Sequence, residues 1–248
     1  MRATRELDFP PHWREVDGLV SIDPCPATED VEQQLERAGF FDLDIYCPEL
    51  PFQKAIASLG KVISSLERAP VEALRASELG AKGPNTYGGN YGRGVLPLHT
   101  DLAHWFRPPR YLVLRCHVPD VNVATLVLGR DEALRGLAPE AVSRAVFKPR
   151  RPLNGRLFLL RLLQDEVFRW DTLFLLPANR HATTVQTHAK SEWVQRASSV
   201  YLRQPGHTII IDNWRALHGR GAVPLSTCER VVHRAYLSEL NLGSQEST

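Results

Sequence analysis

The chain has no excess of charge of either sign: 30 lysines and arginines stand against 28 aspartates and glutamates, a net +2. A partner held by its phosphates would need a broad basic field, so no nucleic acid is expected. Cysteine is scarce. Cys25, Cys47, Cys116 and Cys228 lie far apart and form no C-x-x-C pair. That spacing suggests neither a disulfide framework nor a zinc site, and it points to reduced thiols in a cytoplasmic protein. Long apolar runs are missing too. The longest, at 157–160 and 173–177, are far too short to span a bilayer, so no membrane partner is expected. The opening stretch, 1–13, carries charges throughout and holds Pro10-Pro11, without the apolar centre of a signal peptide. There is no internal repeat and no low-complexity segment. The remainder is ordinary globular composition, and 248 residues suit one domain with a substantial core. We read 1–248 as that single domain, with 1–80 a flank of helices and strand and 95–240 a β core.

Local patterns supply the elements. Residues 29–37 are charged and helical in composition, and Ala38-Gly39 supplies a stop. Residues 40–46 alternate Phe41, Leu43 and Ile45 with Asp42 and Asp44, which predicts a strand. Residues 52–68 place Ile56, Leu59, Ile63 and Leu66 on one face of an amphipathic helix. Residues 82–94 are too rich in glycine for an element interior and read as a loop. Strands are then predicted at 111–118, 121–128, 156–163, 167–176, 207–212 and 230–237, with Gln164-Asp165-Glu166 as a hairpin connection. Helices are expected near 131–146 and over 184–198. Many short strands with few helices favour a sandwich or barrel, mainly β with flanking helices.

The chemistry gathers at Leu96-Pro97-Leu98-His99-Thr100-Asp101. In extended backbone, positions two apart project to one side, so His99 and Asp101 would face a common point. Iron(II) oxygenases use two histidines and one carboxylate on one face of an octahedron. His-x-Asp by itself is a weak signal, equally expected of a solvated turn, and needs a third ligand from elsewhere. His218 is preferred, because it closes Ile211-Asp212-Asn213-Trp214-Arg215-Ala216-Leu217-His218-Gly219-Arg220 just after an apolar strand. His104 is a spare, while His117, His207 and His233 read as hydrogen-bonded sheet residues.

The last strand, Arg230-Val231-Val232-His233-Arg234-Ala235-Tyr236-Leu237, puts Arg230, Val232, Arg234 and Tyr236 on one face. If that face is interior, its guanidinium groups need anions, and a dicarboxylate would suit their planar fork. If the strand turns the other way, both arginines are solvated. Its expected place beside the strand of His218 favours the interior.

Taken together, Leu98-His99-Thr100-Asp101-Leu102, Asp212 to Arg220 and Arg230-Val231-Val232-His233-Arg234-Ala235 resemble the taurine dioxygenase and gamma-butyrobetaine hydroxylase superfamily. These are iron(II)/2-oxoglutarate oxygenases, and the resemblance spans roughly 97–237. It implies a double-stranded β-helix, a jelly-roll and cupin-like fold. It implies Fe(II) on His99, Asp101 and His218, with Arg230 on the remote carboxylate of 2-oxoglutarate and Thr125 assisting. Arg234 matches a position that some members use for an anionic substrate group. The resemblance also implies O2 as a partner, with succinate and CO2 released. Asp101 argues against halogenation, since related halogenases leave the carboxylate position open for halide. The interval from His99 to His218 is shorter than in typical members, so the lid and substrate insert are expected to be trimmed.

Substrate-side candidates are Arg234, Arg93, Asn90 and Tyr91, and the expected substrate is a small anionic or amino-acid-like metabolite. Trp105, Trp170 and Trp214 are expected in core packing rather than in the pocket. Two other classes of function compete. An oxygenase acting on protein or nucleic acid would need a wide basic or aromatic groove. An inactive jelly-roll binding protein would have lost a ligand, and here all three are present. Nothing in the sequence sets the oligomeric state.

Overall fold

The structure, a computed structural model, describes residues 13–16, 19–22, 28–64, 69–152, 155–225 and 230–241. Ten strands build the part that carries the site. In chain order they are β1 (Phe40–Ile45), β2 (Gly60–Val62), β3 (Val71–Arg75), β4 (Leu96–His99) and β5 (Tyr111–Val118). They continue with β6 (Thr125–Gly129), β7 (Ser198–Val200), β8 (His207–Asp212), β9 (Ala216–Arg220) and β10 (Val231–Leu240).

These strands form two antiparallel sheets. The larger has the order β1-β8-β5-β10-β2, with β3 pairing the first half of the same β10 edge that β2 pairs further on. The smaller has the order β7-β6-β9-β4. Central strand β8, His-Thr-Ile-Ile-Ile-Asp, is buried at all six positions. Its run of β-branched residues suits a strand covered on both faces.

Three apolar clusters set the layers. One lies between the sheets and joins Leu112, Leu114, Ile209 and Ile211 of the larger to Val127 and Ala216 of the smaller. A second covers the outer face of the larger sheet. It brings Val31 and Leu35 of helix α1 (Thr28–Ala38) and Phe52, Ile56 and Leu59 of helix α2 (Phe52–Leu59) onto Val113, Ile210 and Leu237. The third covers the smaller sheet from outside, where Leu98, Leu128 and Leu217 meet Phe147, Trp170 and Trp193. Two packed sheets of short strands, with helices outside, make the expected jelly-roll.

Several boundaries differ from the sequence reading. The helix expected over 52–68 stops at Leu59, and Gly60 starts β2. A Cβ at Gly60 would stand 2.1 Å from the Glu239 carbonyl oxygen, so the close approach of β10 requires glycine there. The end of the expected helix, 65–68, lies outside the described residues. The loop at 82–94 contains a short helix, α3 (Tyr87–Tyr91), whose cap Thr86 accepts from the Gly89 amide at 3.0 Å. The strand expected from 121 begins at Thr125, because Asp120 takes the Asn122 amide at 2.9 Å and closes a turn first. The helix expected near 131–146 is two, Arg130–Leu134 and Pro139–Arg144, separated at Gly136 with φ +86°. The one expected over 184–198 starts earlier, at Arg180, where Asn179 caps it. Long strands at 156–163 and 167–176 resolve into short pairs, and Asp165, with φ +54°, makes the hairpin.

The place of β10 also differs. It lies in the sheet opposite β9, so the arginines face His218 across the sandwich and not from a neighbouring strand.

Candidate active site

His99 is the last residue of β4 and His218 sits in β9, directly opposite it in the antiparallel register. Their rings lie 4.3 Å apart. Asp101 falls just past the end of β4, in a turn, and not at the extended position that alternation suggested. Thr100 faces away, where its amide donates to the Trp170 carbonyl at 2.8 Å and its hydroxyl accepts from the Trp170 amide at 3.1 Å. Asn213 then pins the turn. Its side-chain oxygen accepts from the Asp101 amide at 2.7 Å, and its nitrogen donates to the Asp101 carbonyl at 3.0 Å.

Three buried ligand atoms result, all within 4.8 Å of one another. Asp101 Oδ1 stands 3.3 Å from His99 Nε2 and 3.7 Å from His218 Nε2. Two ligands each about 2.1 Å from an ion and at right angles to it would be about 3.0 Å apart, so the spacing suits a metal. His99 Nδ1 is 2.8 Å from the Pro97 carbonyl, which places the proton there and leaves Nε2 to coordinate. The other carboxylate oxygen, Asp101 Oδ2, accepts from Arg234 Nη1 at 2.9 Å and from the Tyr236 hydroxyl at 2.7 Å. Burial alone would raise the Asp101 pKa, but Arg234 and the two histidines hold it well below the usual carboxylate range. A carboxylate kept ionised, flanked by two imidazoles with one coordinating nitrogen each, fits iron(II).

This cluster opens on a cavity of about 780 Å³ between the sheets. Arg230, Val232, Arg234 and Tyr236 all line it, so the alternation on β10 does turn its arginines inward. Arg230 Nη2 donates to Thr125 Oγ1 at 3.0 Å, while its Nε is buried with no partner among the described residues. Burial, with Arg220 adding repulsion, lowers its pKa to about 10. An arginine so placed is short of an anion, which fits a dicarboxylate such as 2-oxoglutarate.

The substrate-side candidates separate. Arg234 is deep in the cavity, bonded to both Asp101 and Glu72. Tyr91 lines the cavity, 3.4 Å from Thr172 through its hydroxyl. Asn90 turns back to the Pro84 and Thr86 carbonyls at 2.7 and 2.8 Å, and braces the glycine-rich loop. Arg93 holds Glu78 at 2.9 Å and the Pro224 carbonyl at 3.0 Å, away from the cavity lining. His104, the spare ligand, lines the cavity but stands outside the metal cluster. Trp170 and Trp214 are core residues, 3% and 7% exposed, and no tryptophan lines the cavity among the described residues.

Sequence reasoning missed Glu72, Tyr87 and Asp171. Tyr87 of α3 lies on His99, ring to ring at 4.3 Å, and its hydroxyl donates to the buried Asp171. No motif marks these residues, since each reaches the site from a different element. Tyr236 shares the inward face of β10 with the arginines, where alternation places it, but the sequence reading gives it no role in the site.

No family model matches the chain, and no curated protein matches it. Solved structures do. An asparagine oxygenase in complex with Fe(II), 2S,3S-3-hydroxyasparagine and succinate superposes with a TM-score of 0.65, at 17% identity over 85% of this chain and 78% of that one. A variant of the non-heme iron oxygenase OrfP, in complex with (3S)-hydroxy-L-Arg, gives 0.64 at 17% identity, covering 85% and 79%. OrfP with Fe and alpha-ketoglutaric acid gives 0.56 at 19%, covering 73% and 60%. The fold is that of the non-haem iron oxygenases. Within this oxygenase fold the paired sheets bring His99, Asp101, His218, Thr125 and Arg230 to one cavity.

Proposed function

We propose that this protein is an Fe(II)/2-oxoglutarate-dependent oxygenase that hydroxylates a small amino-acid-like metabolite. One observation carries the reading: the His99–Asp101–His218 cluster and the Arg230–Thr125 pair share a single cavity. In this reading His99, Asp101 and His218 hold iron, and Arg230 with Thr125 holds the remote carboxylate of 2-oxoglutarate. When bound, iron and 2-oxoglutarate supply with O2 an oxidant able to hydroxylate a C–H bond, releasing succinate and CO2. The chain's own part is geometric. Asn213 fixes the backbone of Asp101, Arg234 and Tyr236 orient its carboxylate, and Tyr87 shields the His99 face of the cavity.

The charge pattern supports the substrate class. Among the described residues Arg75, Lys82, Arg220, Arg230 and Arg234 line the cavity, against Glu72 and Asp101 alone among carboxylates. Such a wall favours anionic ligands. Arg234 and Glu72, adjacent on one side, offer opposite charges to a zwitterion, and Arg234 Nε is buried with no partner among the described residues. Similarity to an asparagine oxygenase and to an iron oxygenase solved with (3S)-hydroxy-L-Arg supports the same class.

No described helix is long and apolar enough to cross a membrane. The buried free thiol of Cys116 supports the cytoplasmic location in this reading. We also keep the whole chain as one domain, since β1, β2 and β3 from its early part join the same sheet as β10.

The test is succinate release from 2-oxoglutarate with iron and ascorbate, across a panel of amino acids and their des-amino analogues. Stimulation by an amino acid is expected. Arg234→Ala should reduce substrate turnover more than 2-oxoglutarate binding, and equal loss of both would remove its substrate role. A protein that binds neither iron nor 2-oxoglutarate would be the inactive jelly-roll instead.

A further inference from the structure

Arg220 enters the scheme above only as one of the cations lining the cavity. It ends β9 directly across from Thr125 on β6, so the two side chains share a face, and both line the cavity. Thr125 accepts from Arg230 Nη2 at 3.0 Å, which seats the threonine between two guanidinium groups. No carboxylate among the described residues bonds either arginine. Arg220 spends its donors on carbonyls: Nε on Gly221 at 3.2 Å, and Nη2 on Gly92 at 2.8 Å and Gly94 at 2.7 Å. Its Nη1 makes no bond among the described residues. Burial lowers the pKa of both arginines, and Arg220 lowers that of Arg230 further. Two neighbouring cations in a half-buried cavity repel each other unless an anion joins them.

We infer that Arg220 is a second cationic arm of the cosubstrate site. It shares with Arg230 the remote carboxylate of 2-oxoglutarate. Through the Gly92 and Gly94 carbonyls it ties that binding to the glycine-rich loop bearing Tyr87 and Tyr91. The loop and the cosubstrate thereby become one coupled unit. This inference rests on the oxygenase reading of the cavity.

Calorimetric titration of 2-oxoglutarate into the manganese(II)-loaded full chain tests it without turnover. Arg230→Gln should weaken binding about 100-fold and Arg220→Gln about tenfold, as loss of charged hydrogen bonds does. 2-Oxobutanoate, which lacks the remote carboxylate, should bind wild type and Arg220→Gln alike. Amide exchange over 82–94 should slow on 2-oxoglutarate binding in the wild type and not in Arg220→Gln. If Arg230→Gln is weakened while Arg220→Gln keeps wild-type affinity, the second arm is refuted and the oxygenase reading stands. If neither is weakened, the oxygenase reading itself fails. Equal loss of 2-oxoglutarate and 2-oxobutanoate in Arg220→Gln also refutes the arm, since that marks a distorted cavity. Should the glutamine variant fold poorly, Arg220→Lys replaces it, with the same discrimination between the two acids deciding.

Discussion

At the residue scale the site depends on how Asp101 divides its two oxygens. One faces both histidines; the other is held by Arg234 and Tyr236. That division orients the carboxylate without a metal, because each lone pair used by Arg234 and Tyr236 removes a rotational alternative. Asn213 does the same for the backbone, bonding the Asp101 amide and carbonyl and the Pro109 carbonyl. Asn213→Ala would leave those groups buried and unpaired. We expect it to lower iron(II) affinity about 10- to 100-fold, the range typical of groups that support metal ligands. Competition against a metal-binding dye measures this, and unchanged affinity would reduce Asn213 to a packing residue.

At the element scale, β10 organises the cavity. Its inward face carries Arg230, Val232, Arg234 and Tyr236, and its outward face sends Ala235 and Leu237 into the helix-covered core. A slip of one residue would exchange those faces, so its register must be held firmly. Pairing with β5 on one side and with β3 and β2 on the other provides that hold. Gly60 is closely packed within it, since a Cβ there would stand 2.1 Å from the Glu239 carbonyl oxygen. Gly60→Ala must push β2 away from β10, and we expect a loss of about 1–3 kcal/mol, typical of overpacking. Thermal denaturation reads it directly. A variant as stable as the wild type would show that this edge yields freely.

At the scale of the whole molecule, β1 pairs with β8 at the edge of the larger sheet, and across that pairing His207 Nε2 lies 2.8 Å from Asp42 Oδ1. Burial alone would raise the pKa of Asp42, but His207 and the Asp44 amide bring it below the ordinary carboxylate value. A carboxyl depressed in the folded state stabilises fully above its unfolded pKa of about 3.9, and that contribution disappears as pH falls through the folded value. Asp42 is 38% exposed, so solvent screening keeps the effect to less than about 1 kcal/mol. Asp42→Asn should therefore flatten the acid limb of a stability-against-pH curve below about pH 4, with little change in shape above it. An acid limb identical to that of the wild type would remove the pair from the account.

Much of this architecture was legible in the residues themselves. Strands β5 and β8 are read at their true bounds, because central strands are continuous β-branched and apolar runs bounded by turn signals. The candidate ligands His99, Asp101 and His218 come from motif, and the shared face of Arg230, Val232, Arg234 and Tyr236 from alternation; that this face turns inward is settled by the sheets. The helix over 52–68 could not be judged that way, since Gly60 ends it for the sake of a strand far along the chain. Glu72, Tyr87 and Asp171 enter the site only through packing, as do the Asn213 braces and the opposition of β10 to β9. Sequence alone determined which side chains are chemically suited to iron and a dicarboxylate, because ligand chemistry belongs to the residue. Tertiary structure decided which of them meet and which groups support them, because such contacts arise only when distant strands close around one core.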